Sequence, residues 1–101
     1  MKNLGEMMKQ AQKLQKQMAE AQERLAEERF EASAGGGVVK AVVDGKQMLK
    51  ELSIAPEALR DGDVTLLEDL IVAAVGEAQR ASEARMQETL GKLTGGLGLP
   101  F

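Results

Sequence analysis

Apolar residues recur at alternating intervals of three and four through the first quarter of the chain. This spacing is that of a heptad seam, in which two positions in every seven face another helix. Asn3 followed by Glu6 is typical of a helix start, and residues 3–28 contain no proline. The pattern therefore predicts a long helix over residues 3–28. Its seam consists of Leu4, Met7, Ala11, Leu14, Met18, Ala21 and Leu25.

The pattern changes to short β-rich runs over residues 29–54, which predicts a three-stranded antiparallel sheet joined by two hairpins. Glycines at 35–37 mark the first turn and Asp44-Gly45 marks the second, because glycine adopts the positive φ of tight turns without steric cost. Neither cluster fits a phosphate-binding loop, since Gln47 follows Lys46 where that loop requires Ser or Thr, nor does either fit the dinucleotide-binding pattern. We therefore interpret these glycines as turn residues.

A second long helix is predicted over residues 64–93, with Asp63 as its cap. Its small residues are compatible with a close helix contact between subunits, or with helix propensity alone. Residues 1–94 then form a single α+β domain, and the glycine-rich residues 95–101 are predicted to be a flexible tail. The small residues are Ala73, Ala74, Gly76, Ala78 and Ala81.

Composition narrows the possible functions. The chain has 101 residues with 2% aromatics, so we expect one subunit to cover its apolar surface only by pairing with a second. It contains no cysteine and no histidine, which removes disulfides, thiolate metal sites and the commonest general base. We therefore expect a protein that is not an enzyme and has no cofactor or metal. No apolar run approaches the roughly 20 residues of a membrane span, which predicts a soluble cytoplasmic protein.

Charges on the first predicted helix are separated by sign, although the whole chain carries a net charge of -3. Residues 1–18 carry a net charge of +3 and residues 19–32 a net charge of -3. A mixed-charge face is also what an ordinary solvated helix presents. At about 40 Å, however, the helix should project from so small a domain, and lysines at its far end suit DNA phosphates. No aromatic residues interleave with them, which favours duplex over unpaired bases. These lysines are Lys2, Lys9, Lys13 and Lys16.

Several stretches of the chain resemble the YbaB/EbfC family of bacterial nucleoid-associated proteins. They are MKNLGEMMKQAQKLQKQM at the start, the glycine-rich hairpins, LLEDLIVAAVGEA in the second helix and the terminal LPF. The resemblance covers essentially the whole chain. It implies an α-β-β-β-α subunit and a homodimer with two long helices projecting like tweezers. It also implies binding to double-stranded DNA at the nucleoid, with effects on nucleoid organisation and gene expression.

The resemblance also implies site residues. The family's basic N-terminal helix corresponds to the four lysines above, and its basic positions near the end of the second helix correspond to Arg85 and Lys92. Family members often carry more arginine in the third strand, where this chain has Lys50-Glu51. The contribution of the sheet to DNA binding therefore stays open. The resemblance implies no small-molecule substrate and no membrane partner.

A second function remains possible at this point. Family members are often encoded beside a clamp-loader subunit and a recombination mediator, which is compatible with a scaffold acting in replication or recombination. Such a prefoldin-like protein-interaction module would hold a client protein through apolar tips, for which methionine is well suited. The residues available for that role are Met7, Met8, Leu97, Leu99 and Phe101.

Overall fold

The computed structural model describes residues 3–95, which form an elongated α+β fold of 71 × 22 × 16 Å. Its radius of gyration of 19.6 Å exceeds the roughly 13 Å expected for a 100-residue globule. The observed element order confirms the predicted α-β-β-β-α fold. In chain order the elements are α1 (Leu4–Glu27), β1 (Arg29–Ala34), β2 (Val39–Asp44), β3 (Leu49–Ile54), a single 3-10 turn (Pro56–Leu59) and α2 (Val64–Gly95).

Both helices begin at side chains that satisfy their first free backbone N–H groups. Asn3 Oδ1 accepts a hydrogen bond from the amide of Glu6 at 2.8 Å, and Asp63 Oδ1 accepts one from the amide of Leu66 at 2.9 Å. Since an Ncap side chain stabilises a helix by roughly 1 kcal/mol, these two residues fix the starts of α1 and α2. Both caps agree with the sequence-based prediction.

The three strands form one antiparallel sheet in the order β1-β2-β3. Ala34 lies opposite Val39 across the first hairpin, and Val39 lies opposite Ile54 across the second pair of strands. A register shift between Val42 and Val43 interrupts the second pair. Both hairpins therefore confirm the predicted meander, and β2 is the only central strand among the described residues.

The core lies between α2 and one face of β1 and β2. Val39, Ala41 and Ala74 are fully buried there, and larger residues of α2, among them Leu70 and Ile71, pack around them. The small residues of α2 differ in burial. Ala74 and Ala78 are buried, whereas Ala73 and Ala81 are exposed to solvent. Within one chain, the buried small residues of α2 allow this helix to pack closely against the sheet.

Gly45 has a different role from the one the sequence predicts. Its φ is not positive; the positive φ of this turn belongs to Gln47, at 67°. The prediction of a tight turn with positive φ at Gly45 is therefore wrong. Gly45 is buried against the end of α1, where its amide donates a hydrogen bond of 2.7 Å to the carbonyl of Leu25. A Cβ at Gly45 would overlap the backbone of Leu25, so the requirement for glycine comes from this close approach.

Two apolar surfaces of the described chain are left exposed. Leu49, Leu52 and Ile54 of β3 share a face with the buried residues of β2 opposite them, but α2 packs mainly on β1 and β2. Leu49, Leu52 and Ile54 remain 46%, 40% and 37% exposed, respectively. On α1, only Ala21 and Leu25 of the heptad seam are buried. The sequence-based expectation of surplus apolar surface agrees with this exposure.

None of the helices within residues 3–95 combines the length and apolar character needed to cross a membrane. Of the predicted flexible tail at 95–101, only Gly95 lies within the described residues, and it is the last residue of α2. The boundary of the domain at residue 94 therefore stays a prediction.

Gly45→Ala should destabilise the fold by about 1–3 kcal/mol, because the new methyl group forces the β2–β3 turn away from the end of α1. The matched control is Gly91→Ala in α2, where a Cβ would meet no neighbour within 4 Å. We expect that control to be neutral or to stabilise by about 0.5–1 kcal/mol through helix propensity. The free energy of unfolding, measured by urea denaturation, tests both. Equal values for the two variants would contradict the close approach as the reason for Gly45.

Candidate nucleic-acid interface

Three of the predicted lysines form a stripe along the exposed half of α1. Lys9, Lys13 and Lys16 are spaced by four and three residues, which places them on one side of the helix. All three are exposed, and none forms an ion pair with an acidic side chain within residues 3–95. We call these three residues the α1 lysine stripe. The predicted Lys2 lies outside the described residues.

The stripe points away from the seam residues that attach α1 to the rest of the subunit. Ala21 and Leu25 are buried, whereas Leu4 and Met7 near the other end of the helix are 71% and 56% exposed. The N-terminal half of α1 therefore projects beyond the sheet, as predicted. This projection gives the ammonium groups of the stripe free access to a large ligand such as a duplex.

The two predicted residues on α2 lie in a different electrostatic setting. Arg85 Nε lies 3.2 Å from Glu28 Oε2 and Arg85 Nη1 lies 3.8 Å from Glu88 Oε2. Lys92 Nζ lies 3.3 Å from Glu88 Oε1. Both cations are thus already paired with carboxylates. Their spacing from Glu88 is visible in the sequence, but the pair with Glu28, which lies 57 residues from Arg85, is not.

The outer face of the sheet presents charges of both signs. A shallow groove on that face is lined by Arg29, Glu31, Val42, Lys50 and Glu51. The mixture gives little net attraction for a polyanion, and Lys50 Nζ is also 3.8 Å from Asp44 Oδ2. The groove is therefore a poorer candidate for phosphate binding than the lysines of α1. Among residues 3–95 no group of three or more acidic side chains could hold a metal ion.

A polar junction around Asp44, at the end of β2, adjoins the end of the projecting helix, which Gly45 contacts. Asp44 is buried, and its Oδ1 accepts hydrogen bonds from the amides of Lys46 at 2.8 Å and Met48 at 3.0 Å. Its backbone carbonyl accepts a 2.7 Å hydrogen bond from the hydroxyl of Ser82. The same hydroxyl accepts a 3.1 Å hydrogen bond from the amide of Gln47. Asp44 thus holds the shape of the turn, and Ser82 attaches that turn to α2.

This junction makes Asp44 an acid whose charged form is favoured in the folded protein. Burial raises the pKa of Asp44, but hydrogen bonds from the backbone of Met48 and Lys46, with the positive charges of Lys50 and Arg29, outweigh burial. The net result is a pKa below the ordinary value of 3.8. The sequence shows Asp44 only as a turn residue, and Ser82 resembles any polar residue of a surface helix. Neither signal predicts this junction.

Comparison with known families gives a match over residues 1–97 to the family described as the YbaB/EbfC DNA-binding family. Curated relatives named nucleoid-associated protein are similar over most of their length. The one from Alkaliphilus metalliredigens is 46% identical over 98 residues, which is 97% of this chain and 86% of the relative. The one from Desulforamulus reducens is 48% identical over 98 residues, which is 97% of this chain and 93% of the relative.

A solved structure has the same fold. An uncharacterized protein from Helicobacter pylori superposes with a TM-score of 0.85, covering 92% of this chain and 98% of that chain. The two sequences are 16% identical, so the likeness concerns the fold alone. It supports the arrangement of two helices around a three-stranded sheet that the chain's own sequence pattern predicts.

Asp44→Asn should flatten the dependence of stability on pH in the acid range. Because the pKa of Asp44 is lowered by folding, its contribution to stability is present above the unfolded pKa. That contribution is lost as the pH falls through the lower folded pKa. We expect the wild-type free energy of unfolding to fall more steeply than that of the variant between about pH 5 and about pH 2. The control is Asp69→Asn, the same substitution at an exposed position of α2. Identical pH slopes for wild type and Asp44→Asn would contradict the proposed role of the junction.

Proposed function

The chain belongs to the YbaB/EbfC DNA-binding family, and from that premise we propose that it is a nucleoid-associated protein that holds duplex DNA by its phosphates. The α1 lysine stripe of each subunit in a homodimer supplies the contacts, and Lys2, which lies outside the described residues, is proposed as a further phosphate contact. The observation that carries this proposal is the stripe itself: exposed lysines on a projecting helix, with no acidic partner among the described residues. Effects on nucleoid organisation and gene expression then follow from binding rather than from catalysis.

Phosphate contact fits the chemistry of the stripe better than base recognition. A lysine ammonium is a compact charge with three donors on a flexible stem, which suits phosphate oxygens. The described part of α1 carries no aromatic residue on which an unpaired base could stack. Because phosphate contacts contain no direct information about sequence, the proposed mode of binding is general for duplex DNA.

The proposed homodimer is supported by the apolar surfaces that one subunit leaves exposed. The uncovered strip of β3, formed by Leu49, Leu52 and Ile54, continues the face that α2 covers elsewhere. On α1, a shallow groove is lined by residues that include Leu14 and Met18 and is mostly apolar. Burial of such surface stabilises by about 25 cal/mol per Å², so a second copy that covers it would stabilise both subunits. Pairing also brings two lysine stripes to one duplex.

A protein-interaction function is the alternative, and the exposed tip of α1 is the observation that favours it. Leu4, Met7 and Met8 are 71%, 56% and 55% exposed there, which would suit a prefoldin-like scaffold in replication or recombination. Leu97, Leu99 and Phe101 of the predicted tail, which would serve the same role, lie outside the described residues. The combined change of Met7 and Met8 to Gln would abolish client binding in that case and leave duplex binding intact.

Changing Lys9 and Lys13 together to Glu should weaken binding to all duplex sequences by similar factors, at least about tenfold near 0.1 M salt. The matched control changes Lys40 and Lys46 to Glu, which alters total charge equally but on the sheet and its turn. Both variants are compared with wild type by mobility shift on two unrelated duplexes. Equal losses would mean that only net charge matters, and no loss in the helix variant would refute the stripe.

The salt dependence of binding limits the number of contacts. Four lysines in each of two subunits engage at most eight phosphates, so the slope of log affinity against log salt should be no steeper than about -7. A steeper slope would require cations outside the stripe and Lys2.

Leu52→Glu should weaken self-association, because it places a charge on the uncovered strip of β3 that we assign to the subunit interface. Val64→Glu serves as the control, since Val64 is 66% exposed and an acidic residue is favourable at the start of a helix. Sedimentation velocity over a range of concentrations distinguishes monomer from dimer. A wild-type protein that stays a folded monomer at micromolar concentration would overturn the dimer, as would an undiminished dimer in the Leu52 variant.

A further inference from the structure

We propose that Glu88 limits the contribution of α2 to DNA binding, because it holds Arg85 and Lys92 in ion pairs that compete with DNA phosphates. This inference rests on the proposed function and concerns a second set of cations, on α2 rather than α1. Glu88 thereby becomes a residue that weakens binding, and its removal strengthens it.

The geometry of Glu88 supports this competition. Its two carboxylate oxygens serve different cations, with Oε2 at 3.8 Å from Arg85 Nη1 and Oε1 at 3.3 Å from Lys92 Nζ. The three residues are spaced by three and four along α2, so they share one side of the helix. One carboxylate therefore partly neutralises two cations. The α1 lysine stripe contains no equivalent pair within the described residues.

The chemistry makes carboxylate and phosphate alternative partners for the same donors. Guanidinium and ammonium groups bind both anions through charge-assisted hydrogen bonds. The side chains of Glu88 and Lys92 are 53% and 76% exposed, and exposed ion pairs stabilise only weakly. A phosphate can therefore displace Glu88, but at a cost in affinity. In the wild-type protein the α2 cations therefore add little to the phosphate contacts of the α1 lysine stripe.

Arg85 and Lys92 differ in the number of carboxylates that pair with them. Arg85 Nε also pairs with Glu28 at 3.2 Å, which links α2 to the residue that follows α1. Neutralising Glu88 leaves that link in place. For Lys92, Glu88 is the only ion-pair partner within residues 3–95. Lys92 is therefore the cation that a change at Glu88 frees most completely, and most of the gain in binding should depend on it.

Glu88→Gln tests the inference, because it keeps the shape of the side chain and removes its charge. We expect duplex affinity to rise by about twofold to tenfold near 0.1 M salt. We also expect the salt slope to steepen by up to about 2, as one freed lysine in each subunit engages a phosphate. The matched control is Glu83→Gln, an exposed glutamate on another side of α2 that makes no ion pair within the described residues. The same change is then repeated in a Lys92→Gln background, where the gain should shrink.

Two results would overturn the inference. An equal gain from Glu83→Gln would mean that total charge alone matters, and an undiminished gain in the Lys92→Gln background would mean that Glu88 does not act through Lys92. The α1 stripe is tested separately. If the Lys9 and Lys13 variant loses binding while Glu88→Gln has no effect, only the competition by Glu88 is refuted. If Glu88→Gln strengthens binding while the α1 variant loses none, only the stripe is refuted. A wild-type protein that binds no duplex refutes both.

Discussion

The backbone contact between the β2–β3 turn and the end of α1 is the constraint on which the rest of the structure depends. The last carbonyls of a helix have no partner within it, and here the Leu25 carbonyl accepts from the amides of both Glu28 and Gly45. On its other side, the same turn is fixed to α2 through Asp44 and Ser82. α1, the sheet and α2 therefore meet at this turn, and the turn together with the direct packing of α1 on α2 fixes the direction in which α1 projects. The position of the lysine stripe is decided with it.

The small size of the buried side chains in the core explains why the fold depends on the polar junction around Asp44. Its largest fully buried side chains are Val39, Val43 and Ser82, and small apolar groups contribute little free energy each when they are buried. Hydrogen bonds that satisfy buried polar groups are then a larger share of what specifies the fold, because leaving such a group unpaired is costly. The projecting halves of the helices add length but little burial within the subunit. Any partner that covers them therefore stabilises the folded chain by mass action.

Local patterns predict most of the fold, whereas the junction and the ion pair between Arg85 and Glu28 depend on residues far apart in sequence. Heptad spacing and capping residues locate both helices, and β-rich runs between glycine turns locate the strands. The spacing of the lysines also places them on one face of α1. However, Gly45 is required by a contact with Leu25, twenty residues earlier, and no pattern around Gly45 reveals it. Likewise, the sequence spacing indicates only Glu88 as a partner of Arg85, and it is folding that brings Glu28 beside Arg85 as well.

In the proposed complex, the short extent of the lysine stripe limits the length of DNA that one helix contacts. From Lys9 to Lys16 the helix rises only about 10 Å, whereas one turn of duplex is about 34 Å long. A single stripe therefore spans about three base pairs, at 3.4 Å each. In the proposed complex, the length of DNA occupied by one dimer is thus set by the distance between its two stripes. Covering a longer stretch of DNA requires further dimers bound side by side, so the covered length increases by one dimer footprint with each dimer that binds.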